Sequence, residues 1–372
     1  MFTCPSKSSS NSSVTPIRKV VISEFGDASK VHVEESTIPA PSEGEVQVAP
    51  LYAGFSGADV NMRQGVYPMQ RKAPLTPGYC LVGLVVQTTS GFFQPGDLVA
   101  SLTVYDAEAT LVNLPAKHAV RVPAGISPRH ATALVLDWAT AYAMVFQTAD
   151  VQSKQRVFVH GLSGAVGSAL STLCRLRGAS VYGTASPKNH KAVLAAGAAG
   201  VFDYGNKEWI GAMQVLGGAH AVFDPLGFRS WDESYEILPV GDEPGILVGY
   251  GSNLQSLPGS SSSPGGNSNT KPSGFSTVGP MVKLLLRNTN LFTKRRTSFY
   301  YITRDDSTFQ PNLRSLFALV QEGKIDVNIK SIWQMEDIQE AHRGWGKGAG
   351  IGSHLIQIAS DEVIRDVEGR SS

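Results

Sequence analysis

The run Arg156-Val-Phe-Val-His160-Gly161-Leu-Ser-Gly164-Ala165-Val166-Gly167-Ser-Ala-Leu170 holds the residue types best suited to gripping a charged ligand. A β-branched and aromatic stretch leads into glycines, and an apolar helical pattern follows. Val166, Leu170, Leu173 and Cys174 recur at helical spacing and form one apolar face. A strand–turn–helix unit of this kind aims free backbone N–H groups at an anion. Glycine is needed there because a Cβ would block the approach of a pyrophosphate. The spacing therefore predicts dinucleotide binding, with Gly161, Gly164, Ala165, Val166 and Gly167 around the phosphates. The plainer alternative is a tight turn between a strand and a helix.

Ser180-Val-Tyr-Gly183-Thr184-Ala185-Ser186 reads as the next parallel strand. Its end lies about 20 residues past the glycines, where an NAD-preferring fold places Asp or Glu against the ribose 2′-hydroxyl. No acid stands there. Thr184, Ser186 and Lys188 offer two hydroxyls and a cation, which suit a 2′-phosphate and favour NADP(H). The alternative for Lys188 is a solvated surface lysine.

These motifs need a scaffold, and 372 residues suffice for two domains. A hydrophobic share of 42% and a charged share of 17% fit large globular cores. A net charge of +1 provides no basic field for nucleic acid. Cys4, Cys80 and Cys174 are few and scattered, which fits a reducing compartment and no disulfide framework. No stretch is long and apolar enough to span a bilayer, and the start lacks the apolar core of a secretory signal. A cytoplasmic location is expected.

Residues 1–16 are rich in Ser, Thr and Asn and read as a disordered tail. Short strands and turns follow over residues 17–136, a β-rich unit. Leu136 to Val145 looks helical. Strands then alternate with helices at 157–160, 180–184, 201–202, 221–223 and 245–248, the rhythm of a doubly wound parallel sheet. Residues 256–277, dominated by Ser, Gly, Pro and Asn, read as a flexible loop. A helix over Met281–Leu286 and a strand over Phe299–Ile302 come next. Helices near 311–322 and 335–346, strands Ile329–Trp333 and Leu355–Ile358, and a C-terminal tail 361–372 complete the chain.

Read together, the motifs resemble the medium-chain dehydrogenase/reductase superfamily in its zinc-independent quinone oxidoreductase branch. Carrying the likeness are Ala53-Gly-Phe-Ser-Gly-Ala-Asp-Val-Asn-Met-Arg-Gln-Gly-Val-Tyr-Pro68, Thr76-Pro-Gly-Tyr-Cys80, Gln94-Pro-Gly-Asp-Leu-Val99, Ala139-Thr-Ala-Tyr142, the glycine run, Phe202-Asp-Tyr204, Phe223-Asp-Pro-Leu-Gly227 and Gly249-Tyr-Gly251. Ala58-Asp59, Arg63-Gln-Gly65 and Gly183-Thr-Ala-Ser186 look most like the vesicle amine transport protein subgroup. The resemblance spans about Lys19 to Ile358. It implies an α/β chain: a GroES-like β-rich domain of residues 17–136 with 304–360, and a Rossmann domain over 137–303. The nicotinamide would lie between them, and the Rossmann edge strand would pair two copies into a homodimer.

The resemblance also frames the chemistry. The family's metal-ligand positions correspond to Ser56, Tyr79 and Cys80, a set that does not complete a zinc site, so no metal is expected. Cys80 then reads as a buried small hydrophobe. Without a metal, the favoured reaction is hydride delivery to a quinone or an α,β-unsaturated carbonyl, including an enoyl reductase of secondary metabolism. Charge building on the carbonyl oxygen needs a hydrogen-bond donor. Candidates are Asn61, where relatives often carry Tyr, together with Tyr67 and Tyr79. Against these stand a loop-stabilising amide for Asn61 and a packed turn for Tyr67. Asp59 is expected to hold its loop, and His160 to be structural. By the resemblance, Ser56 and Thr140 face the cofactor, Tyr204 lies at its adenosine end, and Gly249, Tyr250 and Gly251 border it. Gly352-Ser353-His354 stands where relatives carry Gly-Lys. Lys294-Arg-Arg296 beside Leu291-Phe292 supports a second expectation: a peripheral membrane-associated binding protein that keeps the NADP site with little turnover.

Overall fold

Two β-sheets built from different stretches of the chain set the architecture. The computed structural model describes residues 14–251, 282–289 and 293–371. Strand β1 (Val14–Ile22) pairs antiparallel with β2 (Val31–Pro39). Val14 to Pro16 pair with Thr37 to Pro39, so the last three residues of the expected N-terminal tail are strand, and residues 1–13 lie outside the described ones. Cross-strand hydrogen bonds recruit polar residues here that composition alone assigns to a tail.

Strands β3 (Glu45–Phe55), β4 (Cys80–Thr88), β5 (Leu98–Leu102), β6 (Val112–Pro115) and β7 (Ala119–Arg121) form the GroES-like sheet. The chain leaves this sheet, builds the second one, and returns to it at the end. The second sheet comprises β8 (Arg156–Val159), β9 (Ser180–Ala185), β10 (Gly200–Asp203), β11 (Ala221–Asp224), β12 (Gly245–Tyr250) and β13 (Arg295–Tyr300). The returning strands are β14 (Ile329–Gln334) and β15 (Ser353–Gln357). β15 pairs antiparallel with β3, placing His354 opposite Phe55, so both chain ends are needed to complete the first domain.

The second sheet is parallel throughout, in the order β10-β9-β8-β11-β12-β13. Val157, Phe158, Val159, Val222, Phe223, Leu247 and Val248 are all fully buried, as strands covered on both faces require. This is the Rossmann strand order, and its crevice opens at the carboxyl ends of β8 and β11. The helix Ala165–Leu176 packs Leu170, Leu173 and Cys174 inward as its spacing predicts, while Val166 stays half-buried. The helical stretch expected over 136–145 runs from Pro128 to Thr148 and contains two π-type turns, Leu134–Trp138 and Met144–Thr148.

The expected C-terminal tail is instead a helix, Asp361–Ser371. Ile364 and Val367, one turn apart, bury against Leu51, Tyr52 and Leu355. Asp361 and Glu362 sit in its first turn, where acidic residues suit the helix dipole. The expected loop 256–277 lies outside the described residues. Among those residues no helix is long and apolar enough to cross a membrane.

Asp137 links the central helix to the returning strand: the Ser353 hydroxyl donates to its carboxylate at 2.6 Å. Burial pushes the Asp137 carboxyl up to about 7, against the opposing pull of that hydrogen bond. A folded-state value above the unfolded one means that the stabilising contribution is complete below the unfolded carboxyl value. It is lost as pH rises through about 7. One such group gives a slope of up to about 1.4 kcal/mol per pH unit inside that window. Burial also raises Asp59, to about 6, and the sign is the same. We expect Asp137→Asn to flatten the decline in urea midpoint measured from about pH 5 to about pH 8. An unchanged slope would assign the titration to another group.

Candidate active site

The glycine turn sits on a directed chain of buried hydrogen bonds. After β8 the chain passes through His160 and Gly161, and the next helix begins at Ala165 with Gly164 as its cap. The Ser234 hydroxyl donates to Asp224 Oδ2 at 2.7 Å. With its proton committed to Asp224, the Ser234 hydroxyl oxygen accepts from His160 Nε2–H at 3.0 Å. That fixes the tautomer, so His160 Nδ1 accepts from the Thr184 hydroxyl at 3.3 Å. Thr184 in turn accepts from Gly161 N–H at 3.2 Å. Burial holds His160 below the ordinary imidazole range, which keeps it neutral and able to play both roles. His160 is thus structural, as the sequence indicates.

The three glycines do different work. Gly161 has φ +77°, and a Cβ there would project into open space, with nothing within 4 Å. Gly167 is a packing requirement: its Cβ would stand 2.0 Å from the Gly161 carbonyl oxygen. Gly164 is exposed at the helix start, followed by half-buried Ala165 and Val166. The turn thus presents a bare, solvent-open face above a helix N-terminus.

Thr184 is a correction to the expected ribose contacts. It is buried beneath the turn and its hydroxyl is spent on His160 and Gly161. Ser186 is half-buried and Lys188 exposed, both beyond the end of β9. Tyr204 is 59% exposed just after β10. At the end of β12, Gly249 makes room for Trp231, because a Cβ would stand 2.8 Å from its ring. Tyr250 is buried and Gly251 exposed. Thr140 is buried in the central helix.

Three tyrosine hydroxyls meet where the two sheets face one another. Tyr67 Oη lies 2.7 Å from Tyr79 Oη and 3.1 Å from Tyr301 Oη. Tyr79 donates to Tyr301 at 3.3 Å. Tyr79 is 2% exposed, Tyr67 half-buried and Tyr301 54% exposed, so the cluster runs from core to solvent. Burial first, then the neighbouring phenols, raises both Tyr67 and Tyr79 above the usual tyrosine value; both remain protonated donors. Tyr301 follows β13 and comes from the other domain. The sequence reading missed it, since its motif-free neighbourhood gives no local sign of a contact with Tyr67. Asn61 is 5% exposed in the helix Gly57–Gln64.

Local structure explains how the tyrosines are placed. Ser56 caps that helix, donating to Asp59 through its backbone N–H at 2.8 Å and its hydroxyl at 3.0 Å. The other Asp59 oxygen accepts from Gly78 N–H at 3.1 Å, which fixes the residue before Tyr79. Gln70 holds the Tyr67 loop, accepting from Tyr67 N–H at 2.8 Å and donating to the Met62 carbonyl at 3.0 Å. Cys80 is buried, its sulfur 3.8 Å from the Thr132 carbonyl. Among the described residues no group of three or more His, Cys, Asp or Glu could hold a metal ion.

Of the basic cluster Arg295 alone turns inward, while Lys294 and Arg296 are exposed. Arg295 donates to the carbonyls of Pro239 and Leu238 at 2.7 and 2.8 Å, and Lys294 faces Asp242 at 3.5 Å. Leu291 and Phe292 lie outside the described residues.

Replacing Thr184 by Val removes the link between Gly161 and His160 while keeping the shape. We expect a loss of about 1–3 kcal/mol in urea unfolding, with Thr184→Ser recovering most of it. Equal stability of Thr184→Val and the parent would show that the turn does not depend on the chain of hydrogen bonds.

Comparison with known proteins agrees with this architecture. The alcohol dehydrogenase GroES-like domain matches residues 42–124, and the zinc-binding dehydrogenase family matches 196–353. The rat synaptic vesicle membrane protein VAT-1 homolog is 28% identical over 352 residues, covering 92% of this chain and 84% of that protein. Quinone oxidoreductase 1 of Escherichia coli strain K12 is 25% identical over 348 residues, covering 91% of this chain and 98% of that one. A crystal structure of E. coli quinone oxidoreductase complexed with NADPH superposes with a TM-score of 0.75 at 22% identity, covering 92% of this chain and 100% of that chain. With its GroES-like sheet closed by both chain ends around a Rossmann sheet, the chain belongs to the medium-chain dehydrogenase/reductase superfamily, in the quinone oxidoreductase branch near the VAT-1 homologues.

Proposed function

We propose that this protein is an NADPH-dependent reductase that delivers hydride to a quinone or an α,β-unsaturated carbonyl without a metal. The observation that carries the reading is the cluster of three tyrosine hydroxyls bridging the two domains. Bound NADPH supplies the hydride. The bare face at Gly161, where a Cβ would stand in open space, fits the pyrophosphate, and the N–H groups of Ala165 and Val166 point from the helix start. Ser186 and Lys188 suit the 2′-phosphate, Tyr204 the adenine, Gly251 the sheet edge and Thr140 the nicotinamide side.

Substrate reduction places negative charge on a carbonyl oxygen. Tyr67 and Tyr79, kept protonated by burial, donate hydrogen bonds to it. Exposed Tyr301 connects Tyr67 to solvent, from which the final proton arrives. Asn61 is deeply buried in its helix, which favours the loop-stabilising role over donation to a substrate. Ser56 is committed to a helix cap and Cys80 is a solitary thiol, a donor set that suits zinc poorly. An edge strand at β13 supports pairing into a homodimer. The membrane-associated alternative draws on the vesicle-membrane relatives. Against it, Arg295 of the basic cluster is already hydrogen-bonded within the protein.

Titration with NADPH and NADH, followed by fluorescence, with 9,10-phenanthrenequinone then added, tests the reading. NADPH is expected to bind more tightly and to be oxidised. Absence of NADPH binding would overturn the assignment, and binding without oxidation across a quinone and enone panel would favour the binding-protein alternative. Tyr67→Phe should lower kcat by about 10–100-fold with an unchanged NADPH Kd; full turnover by that variant would remove the phenol cluster from the chemistry. Gly161→Ala, strained at a positive φ, should abolish NADPH binding at a stability cost of about 1 kcal/mol. Intact binding by that variant would argue against the turn as the phosphate site.

A further inference from the structure

Lys330 lies in an irregularity of β14. The pairing with β15 jumps from Ile329–Ser353 to Ser331–His354, leaving Lys330 as the extra residue of a bulge. Bulges redirect a side chain out of the regular alternation. The stem of Lys330 runs over Gly350, where a Cβ would stand 3.4 Å from Lys330 Cγ. Gly350 N–H donates to Asn189 Oδ1 at 3.0 Å, and Asn189 Nδ2 donates to the Ser163 hydroxyl at 3.0 Å. Gly352 N–H donates to the Ser163 carbonyl at 3.3 Å. The bulge of the GroES-like domain is thereby held against both the glycine turn and the turn Pro187–Asn189, which carries Lys188.

This sets Lys330, through Gly350 and Asn189, beside the turn that carries Lys188. Burial, and then repulsion from Lys188, lowers the Lys330 pKa below the usual lysine value. Burial and the Lys330 charge push the neighbouring His354 down to about 4, so it stays neutral. Among the described residues neither lysine side chain has a hydrogen-bond or ion-pair partner. An anion between two such cations gains from both, and a phosphomonoester dianion matches their combined charge.

We propose that Lys330, projected from the strand bulge of the GroES-like domain, joins Lys188 and Ser186 of the Rossmann domain in a two-sided clamp on the 2′-phosphate of NADPH. The proposal rests on the NADPH reading above. The phosphate that separates NADPH from NADH then also ties the two domains together, so cofactor choice and cleft geometry share one contact.

The test is calorimetric titration of the full chain with adenosine 2′,5′-bisphosphate, 5′-AMP and inorganic phosphate. It is run on the parent, Lys330→Met and Lys330→Arg, with thermal melts of each. In the parent the bisphosphate should bind at least tenfold more tightly than 5′-AMP, as an order-of-magnitude expectation for charge-assisted contacts. Lys330→Met should remove about tenfold of that preference without changing 5′-AMP affinity, and Lys330→Arg should restore it. An unchanged preference in Lys330→Met, with the parent still discriminating, overturns the clamp and leaves the NADPH reading standing. A parent that binds neither the bisphosphate nor NADPH overturns both. Inorganic phosphate binding as well as the bisphosphate would identify a free-phosphate site and overturn the clamp.

Discussion

The ordered hydrogen-bond chain from Gly161 to Asp224 is the constraint on which the cofactor crevice depends. Every hydroxyl and imidazole in it donates once and accepts once, and the direction is set from the Asp224 end. Asp224 is further fixed by Leu226 N–H at 2.8 Å. Because His160, Thr184 and Ser234 are buried, any gap would leave a polar group unsatisfied at a cost of about 1–3 kcal/mol. The turn is therefore held from beneath, which leaves its upper face free of side chains. Rigidity below and openness above are both required if a backbone is to grip phosphates without rearranging.

The two domains meet through polar contacts contributed by distant segments. Ser353 reaches Asp137, Gly350 reaches Asn189, and Gly352 reaches Ser163. Tyr301 reaches Tyr67 and Tyr79 from the opposite side of the crevice. Each is a directional hydrogen bond, added to an apolar core that runs continuously between the two domains. Such contacts fix the registration of two bodies while leaving room between them. The crevice is consequently bounded by where these bonds lie, near Ser163 at one end and near Tyr301 at the other.

Much of this was legible in the sequence because the signals are local. β-branched runs bounded by glycine give the parallel strands, and the 3.6-residue apolar spacing gives the helix after the glycine turn. The tyrosine pair and the Asp59 loop were also readable, since helix 57–64 and its cap use neighbouring residues. What escaped depends on direction or on distance along the chain. Thr184 looks equivalent to Ser186 in sequence, but Thr184 lies within β9 with its hydroxyl under the turn, whereas Ser186 follows the strand end. Tyr301 lies 234 residues from Tyr67, and no spacing rule links them. Lys330 sits at a one-residue register shift that no strand pattern in the sequence announces. The C-terminal helix escaped because only Ile364 and Val367 anchor it among charged residues.

The phenol cluster has a property that follows from counting protons. Three hydroxyls in mutual contact can satisfy one another in a closed cycle, each donating once. On the proposed function, a carbonyl oxygen entering the cluster would take a donor from that cycle, and the displaced acceptor would be supplied by the next hydroxyl or by water at Tyr301. The cluster thus adapts by rotating O–H bonds, without moving a ring. Its innermost member is fixed by the same Asp59 that caps the helix bearing Asn61, because Gly78 is bonded to that carboxylate. Where a metal would polarise a carbonyl through charge, the proposed site would do so through donors held in place by the buried Asp59 carboxyl group. The selectivity of such a site is then set by the position of the oxygen relative to Tyr67 and Tyr79, which fits acceptors whose charge builds on a single carbonyl.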